Sequence, residues 1–224
     1  MHAAVRVVAE LIGTALLVAA VIGSGIMAEA VSSDVGLRLL LNQLSTILGL
    51  GVLIAVLMPV SGAHINPVVT LALFLRRTLS GADAAMYVLA QLLGSLGGVV
   101  LAHLMFGRAL MGISGEDRLT AGTFVGEVVA TAGLLAVIIL LAHRGHESAI
   151  PLAVPAWIGS AFFFTSSTAF ANPAVTLGRM WTDSFTGIAP LSGLGFIGAQ
   201  LVGMALALAL VTPLVAGSKE RKNG

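Results

Sequence analysis

Two asparagine–proline pairs, Asn66-Pro67 and Asn172-Pro173, are the residues of this sequence best suited to contact a solute. An asparagine that begins a helix caps the first turn through its side-chain oxygen, and proline suits the first helical position because its missing N–H is not needed there. The side-chain NH2 group is then free to donate hydrogen bonds. Each helix N-terminus adds a positive dipole end of roughly half a charge. The two pairs therefore predict a site that repels cations and offers donors to a neutral, hydroxylated molecule.

Two carboxylates, Glu10 and Glu127, lie within apolar runs, and each is followed four residues later by a threonine. A charge inside a bilayer costs at least about 2.5–3.5 kcal/mol on insertion scales. Such a carboxylate can relay protons, as a proton-coupled carrier requires, or it can accept hydrogen bonds from backbone N–H groups that lack helical partners. Because the placement is repeated, the sequence favours the second role.

The composition is that of an integral membrane protein. The chain has 224 residues, of which 58% are hydrophobic and 9% are charged, whereas a soluble domain carries about a quarter charged residues. Six spans of about 20 residues would use about 120 residues, close to the apolar residues available. This composition excludes a soluble enzyme, and the net charge of +1 predicts no nucleic-acid partner. The sequence contains no cysteine and no nucleophile–base, metal-ligand or cofactor motif, so neither enzyme activity nor a cofactor or metal is predicted.

The distribution of apolar residues predicts six membrane spans, near residues 8–27, 37–60, 84–106, 122–142, 150–169 and 190–215. Two shorter apolar segments, 66–75 and 172–180, begin at the asparagines. About ten helical residues rise only about 15 Å, half of the roughly 30 Å hydrocarbon core. Since non-helical backbone at membrane depth is tolerated only in protein or beside a wet cavity, two half-spans predict a site.

The sequence also repeats internally. Three landmarks recur in the same order, at residues 9–14 and 126–131, 66–71 and 172–177, and 87–94 and 196–203. An odd number of spans in each half forces the second half to insert upside down. The predicted fold class is an all-α membrane protein of six transmembrane helices plus two re-entrant half-helices. We expect one channel domain of two inverted repeats, about 1–112 and 118–224.

The placement of lysine and arginine predicts the orientation. With both termini in the cytoplasm, seven of the eleven cationic residues lie inside and four lie outside, in keeping with the positive-inside rule. The inner residues are Arg6, Arg76, Arg77, Arg144, Lys219, Arg221 and Lys222, and the outer residues are Arg38, Arg108, Arg118 and Arg179. We therefore expect a multi-pass protein of the cell (inner) membrane with both termini cytoplasmic.

Two motifs resemble the signatures of the aquaporin (major intrinsic protein) family. They are residues 61–70, Ser-Gly-Ala-His-Ile-Asn-Pro-Val-Val-Thr, and the triplet Asn172-Pro173-Ala174. The repeated Glu-x-x-x-Thr pattern and the order of spans match as well. The resemblance implies a pore in every protomer and usually a homotetramer. It also implies that Glu10 and Glu127 support the re-entrant loops and that His64 braces the first loop or lines the pore. Val68 stands where the family most often has alanine.

The resemblance further implies a selectivity ring of four residues, here Thr46, Ser160, Ala169 and Val175. Water-selective members typically place an aromatic residue, a histidine and an arginine in this ring, and glycerol-type members keep the arginine and aromatics. None of these types occupies the four positions in this chain. The ring is therefore expected to be wide, weakly polar and neutral. Val175 resembles the equivalent residue in bacterial aquaglyceroporins linked to arsenic handling, which implies neutral trihydroxy arsenic or antimony species as cargo.

Arg179 follows Val175 by four residues, so it lies one helical turn along the same face. Two interpretations stay open. The guanidinium could stand over the outer mouth as a displaced guard against cations, or it could extend to the lipid headgroups, as interfacial arginines commonly do.

The residues predict a passive channel for small uncharged solutes such as glycerol-like polyols and water, and the resemblance implies metalloid hydroxides of the arsenite and antimonite type as further cargo. The expected partners are the lipid bilayer, these solutes and further copies of the chain. One alternative is an orthodox water-selective channel. Another is an inverted-repeat secondary carrier, which would show saturable, gradient-coupled uptake. A junctional or scaffold role on the same fold is the third.

Overall fold

Eight α-helices form the fold of residues 2–220, the part of the chain that this computed structural model describes, with side chains described through residue 215. In chain order the helices are α1 (Ala3–Val31), α2 (Val35–Ser61), α3 (Pro67–Leu75), α4 (Gly81–Met105), α5 (Ala121–His143), α6 (Ile150–Phe164), α7 (Pro173–Arg179) and α8 (Pro190–Glu220). A short 3-10 turn, Glu147–Ala149, leads into α6. Three cationic residues used for the orientation are not covered by these side chains: Arg221 and Lys222 lie outside the described residues, and the side chain of Lys219 is not described.

Six of these helices are long and apolar enough to cross a membrane: α1, α2, α4, α5, α8 and α6 together with its leading turn. The predicted six-span architecture is confirmed. The fifth span ends at Phe164, five residues before the predicted boundary at 169. The helix ends because Thr165 is extended, with φ −100° and ψ 149°, and it does not resume because Thr168, Ala169 and Ala171 have φ values of 61°, 49° and 46°. A right-handed helix cannot contain these left-handed conformations, so the chain turns back into the bundle there.

The two predicted half-spans are short helices, α3 with nine residues and α7 with seven. Each has proline at its start and asparagine as its N-cap. The Asn66 side-chain oxygen accepts from the Val68 N–H at 3.0 Å, and the Asn172 oxygen accepts from the Ala174 N–H at 3.0 Å. Their sequences begin in the helical conformation because cap and proline satisfy or remove the donors of the first turn.

The long helices pair in a matching way in the two halves, α1 along α4 and α5 along α8. Glycines allow these backbones to approach closely. A Cβ added at Gly94 would overlap the carbonyl oxygen of Leu11, and one added at Gly203 would lie 2.6 Å from the carbonyl oxygen of Val128. Close approach of small residues is how helices gain dispersion energy where lipid removes the hydrophobic driving force.

Two loops meet at the end of the bundle toward which α7 points. The α4–α5 loop (residues 106–120) lies against the α7–α8 loop (residues 180–189). The Ser114 N–H donates to the Met180 carbonyl at 3.1 Å, and the Ala189 N–H donates to the Glu116 carbonyl at 2.7 Å. Backbone hydrogen bonds therefore join the two loops beside the second half-helix.

Candidate functional site: a cavity between the two half-helices

The two cap residues bind across the junction of the half-helices. The Asn66 Nδ2 donates to the carbonyl oxygen of Ala171 at 2.8 Å, and the Asn172 Nδ2 donates to the carbonyl oxygen of Ile65 at 2.9 Å. Each acceptor is the residue directly before the opposite asparagine. The sequence predicts free side-chain NH2 groups, and this prediction is wrong in part, because each NH2 group already donates one hydrogen bond to the protein. Since an amide nitrogen carries two hydrogens, one N–H of each remains for another acceptor.

Both asparagines line one cavity, whose wall includes residues of both half-helices. Leucine, isoleucine and valine side chains of α1, α2, α5 and α6 form much of the remaining wall, together with residues of the two re-entrant loops. An apolar wall with a few fixed donors orients a small polar solute without binding it over its whole surface.

Glu10 fixes the first re-entrant loop. One carboxylate oxygen accepts from the Ser61 hydroxyl at 2.7 Å and the His64 N–H at 2.9 Å. The other accepts from the Ile65 N–H at 2.6 Å and the Gln91 amide at 2.8 Å. A carboxylate offers about four acceptor sites, so the end of α2, the loop and α4 fill the sites of this buried group.

Glu127 makes the corresponding bonds in the second half. Its oxygens accept from the Ser167 hydroxyl at 2.7 Å, the Phe170 N–H at 2.8 Å and the Ala171 N–H at 2.8 Å. The Gln200 amide donates the fourth bond, at 2.7 Å. The donors occupy the same positions in the repeat as those around the first carboxylate. Both loops therefore obtain partners for N–H groups that no helix can satisfy.

The two loops differ in the ring that each places in the cavity wall. His64 packs edge-on against Tyr87, with ring centroids 5.1 Å apart, and its Nδ1 lies 3.1 Å from the Thr70 hydroxyl. At the matching positions Phe170 packs edge-on against Phe196 at 5.0 Å. Both His64 and Phe170 line the cavity. At these matching positions the ring is thus polar on the α3 side of the asparagines and apolar on the α7 side.

Arg179 lies in the wall of the cavity and is only 4% exposed. Its guanidinium carbon is 3.4 Å from the ring centroid of Phe170, and its Nε donates to the carbonyl of Thr186. Neither Nη atom has a hydrogen-bond partner among the described residues. The interpretation of Arg179 as a headgroup anchor is therefore wrong. The predicted ring residues in the wall are neutral, and a guanidinium stacked on a phenyl ring lies in the same wall.

Three of the four predicted ring residues, Thr46, Ala169 and Val175, line the cavity. Ser160 does not: it is exposed, on the side of α6 turned away from the cavity. Phe162 lines the cavity instead. Successive helical residues are about 100° apart, so a position two residues away lies on the opposite side. Placing the ring residue of α6 at Ser160 was therefore wrong.

A signal for Phe162 exists in the sequence. The cavity residues of α6 are Ile150, Val154, Ile158 and Phe162, which recur every four residues. Such a row lies on one face of a helix. Counting residues back from Asn172 ignores that face, whereas the apolar row identifies it.

Two charged groups of the α4–α5 loop, Asp117 and Arg118, have shifted pKa values. Burial lowers the pKa of Arg118 from its ordinary range, and the charge of Glu116 partly opposes this shift. A hydrogen bond from the Ser192 hydroxyl and one from the Leu119 N–H lower the pKa of Asp117. An arginine stays protonated in proteins, so a fixed cation and a fixed anion adjoin at this end.

Six spans, two re-entrant half-helices and a shared internal cavity define a multi-pass membrane protein of the channel type. The family model described as "Major intrinsic protein" matches residues 1–168. The chain belongs to the major intrinsic protein family.

Individual relatives agree with this assignment. Aquaglyceroporin AqpS of Rhizobium meliloti (strain 1021) is 47% identical over 206 residues, which cover 92% of this chain and 88% of that protein. The glycerol uptake facilitator protein of Pseudomonas aeruginosa is 28% identical over 218 residues, with coverage of 84% and 77%. The X-ray structure of the aquaglyceroporin from Plasmodium falciparum superposes with a TM-score of 0.72 at 20% identity and covers 96% of this chain and 99% of that one. It shares the fold.

Proposed function

We propose that the protein is a passive transmembrane channel for small uncharged solutes, namely glycerol-like polyols, water and trivalent metalloid hydroxides. One observation carries the proposal: Asn66 and Asn172, each at the start of a half-helix, lie in the wall of one mostly apolar cavity. The names of the relatives, an aquaglyceroporin and a glycerol uptake facilitator, support the same class of cargo.

The mechanism follows from the two helix starts. A hydroxyl or water oxygen accepts from the remaining N–H of each asparagine as the solute passes. A cation meets two positive helix ends of roughly half a charge each and must also lose its water. A water that accepts from both amides turns its hydrogens away from the centre, which interrupts a chain of proton transfer.

Val175 supports a cargo larger than water, because a valine occupies the position where related channels carry a bulky arginine. One helical turn further along α7, Arg179 lies in the same wall with its guanidinium over the ring of Phe170, and its Nη groups have no partner among the described residues. A compact trihydroxy arsenic or antimony species resembles a small polyol and suits such a mixed wall. We assign Arg179 the role of a guard that repels cations at this end.

The carboxylates favour a channel over a proton-coupled carrier. Glu10 and Glu127 each accept four hydrogen bonds from protein donors, so neither presents a free oxygen to a travelling proton. We propose that they support the loops, and that the protein has no enzyme activity. We also propose a homotetramer in the cell (inner) membrane with both termini cytoplasmic.

The test is osmotic swelling or shrinking of proteoliposomes with water, glycerol, urea and arsenite. The proposal predicts flux of glycerol and arsenite above protein-free vesicles. Strong water flux without solute flux would replace it with a water-selective channel, and accumulation against a gradient would replace it with a carrier. Val175→Arg should reduce glycerol and arsenite flux more than water flux, because it narrows the cavity and sets a second cation one turn from Arg179.

The guard role of Arg179 needs its own pair of variants. Arg179→Gln should raise the leak of protons or small cations. Arg38→Gln serves as the control, because it removes a positive charge near the start of α2. The Arg38 side chain donates to the Ser32 carbonyl and is absent from the cavity wall. Equal leak in both variants and in the unmodified protein would contradict the guard role.

A further inference from the structure

Three consecutive carbonyl groups of the α7–α8 loop bind two arginines. The Arg118 Nε donates to the Gly187 carbonyl at 2.7 Å, and its Nη2 donates to the Phe185 carbonyl at 2.8 Å. The carbonyl between them, of Thr186, accepts from the Nε of Arg179. Arg118 comes from the α4–α5 loop and Arg179 from the end of α7, so the loop backbone connects two distant parts of the chain.

The backbone of these three residues is also confined sterically. A Cβ added at Gly187 would overlap the Ser114 side chain, and one added at Gly25 of α1 would overlap the methyl group of Thr186. The Ala189 N–H donates to the Glu116 carbonyl at 2.7 Å directly after this segment. The loop is therefore enclosed by α1 and by the α4–α5 loop, and the two bonds from Arg118 fix the direction of its carbonyls.

We propose that Arg118 is a positioning residue for the selectivity of the channel: by holding the carbonyls on either side of Thr186, it fixes the Arg179 guanidinium against Phe170 in the cavity wall. Arg118 itself is absent from that wall, so it acts on the solute only through Arg179. The inference rests on the guard role given to Arg179 under the proposed function.

The chemistry of arginine explains why this residue type is needed. A planar guanidinium presents its N–H groups in a rigid fork, so it can satisfy two carbonyls at once with fixed geometry. The point charge of a lysine can bind one carbonyl at a time and sets no direction. Without the fork, the Thr186 carbonyl loses its fixed direction, and the guanidinium that depends on it can leave the phenyl ring.

The test compares Arg118→Gln with a matched control, Arg108→Gln. Arg108 lies in the same α4–α5 loop and donates to the Asp183 carbonyl of the same α7–α8 loop at 3.4 Å, but it is exposed and does not bind residues 185–187. The measurement is proton or sodium leak relative to glycerol flux in proteoliposomes. Arg118→Gln should raise the ratio of leak to glycerol flux about tenfold, the factor that corresponds to roughly 1.4 kcal/mol. Arg108→Gln should leave it unchanged.

The double variant Arg118→Gln/Arg179→Gln decides how Arg118 acts. If it works by positioning, the double variant leaks no more than Arg179→Gln alone. Leaks that add would overturn the proposal, because Arg118 would then act through its own charge. An unchanged ratio in Arg118→Gln would overturn it as well.

A conservative variant distinguishes loss of positioning from misfolding of the protein. Arg118→Lys keeps the charge but loses the fork, so it should show an intermediate ratio; a ratio equal to that of the unmodified protein would contradict the positioning role. Glycerol flux of the unmodified protein is recorded in the same vesicles. Its absence would count against the proposed function, whereas the comparison of leak among variants judges Arg118 separately.

Discussion

Asn66 and Asn172 each hold the backbone that precedes the other. Their amide nitrogens donate to the carbonyls of Ala171 and Ile65 at 2.8 and 2.9 Å, while their side-chain oxygens cap their own helices. Each asparagine thus has one bond within its own half and one to the opposite half. These four hydrogen bonds therefore set the distance between the remaining N–H groups of the two asparagines.

Replacing either asparagine by aspartate separates its two roles. Asn66→Asp and Asn172→Asp keep the cap acceptor but place an oxygen against a buried carbonyl that has lost its donor, which costs about 1–3 kcal/mol. Both variants should have lower thermal stability in detergent and lower glycerol flux per folded channel. Asn42→Ala is the control, because Asn42 donates to the Val21 carbonyl at 2.8 Å away from the asparagine junction. It should lower stability and leave the flux per folded channel unchanged.

Replacing the carboxylates by amides tests the loop-support role. In Glu10→Gln or Glu127→Gln an NH2 group must face donors that now bind the carboxylate, and each lost bond to a charged acceptor is worth about 1.5–3 kcal/mol. We expect a large fall in the melting temperature in both variants. A proton-coupled carrier would behave differently: Glu10→Gln would abolish accumulation and leave exchange intact. Observing that pattern would remove the channel interpretation.

Two glycines of α4 provide a matched test of helix packing. A Cβ at Gly94 would overlap the Leu11 carbonyl, whereas one at Gly97 would meet nothing within 4 Å. Gly94→Ala should therefore destabilise the protein by about 1–3 kcal/mol through overpacking. Gly97→Ala should stabilise it by roughly 0.5–1 kcal/mol, since alanine loses less backbone entropy in a helix. Thermal unfolding in detergent measures both, and equal changes would contradict the packing of α1 on α4.

Because the sequence has no cysteine, single cysteines can be introduced and the block of flux by mercurials can be assigned to each of them. The unmodified protein should be insensitive to mercurials, because it has no thiol. Phe162→Cys places a thiol in the cavity wall and should make glycerol flux sensitive. Ser160→Cys places one on the opposite side of α6 and should not. Block at Ser160→Cys with none at Phe162→Cys would reverse the helix face described for α6.

The main features of the fold could be predicted because the sequence pattern that indicates each of them occurs in both halves of the internal repeat. A single Asn-Pro pair is an ordinary turn, but two at matching positions in a repeat, each opening a segment too short to span a bilayer, indicate re-entrant helices. The loops themselves were harder to delimit. The chain beyond Phe164 contains left-handed residues at 168, 169 and 171, and the N–H groups of Phe170 and Ala171 bind Glu127; apolar composition alone does not indicate either feature.

Two parts of the site could not be derived by counting along the chain. The face of α6 that meets the cavity depends on helix rotation, and an error of two residues exchanges Phe162 for Ser160. The environment of Arg179 depends on Phe170 and on the Thr186 carbonyl, which a later loop brings back to α7. Only the folded chain places these groups together.

The most direct test of the central claim is glycerol flux through a channel blocked at its wall. Val175 lines the cavity, whereas Val129 is 41% exposed on α5 and lies outside the wall. In proteoliposomes with equal amounts of folded protein, Val175→Trp should reduce glycerol flux to that of protein-free vesicles, and Val129→Trp should match the unmodified protein. Undiminished flux through Val175→Trp would show that solutes do not use the cavity between Asn66 and Asn172.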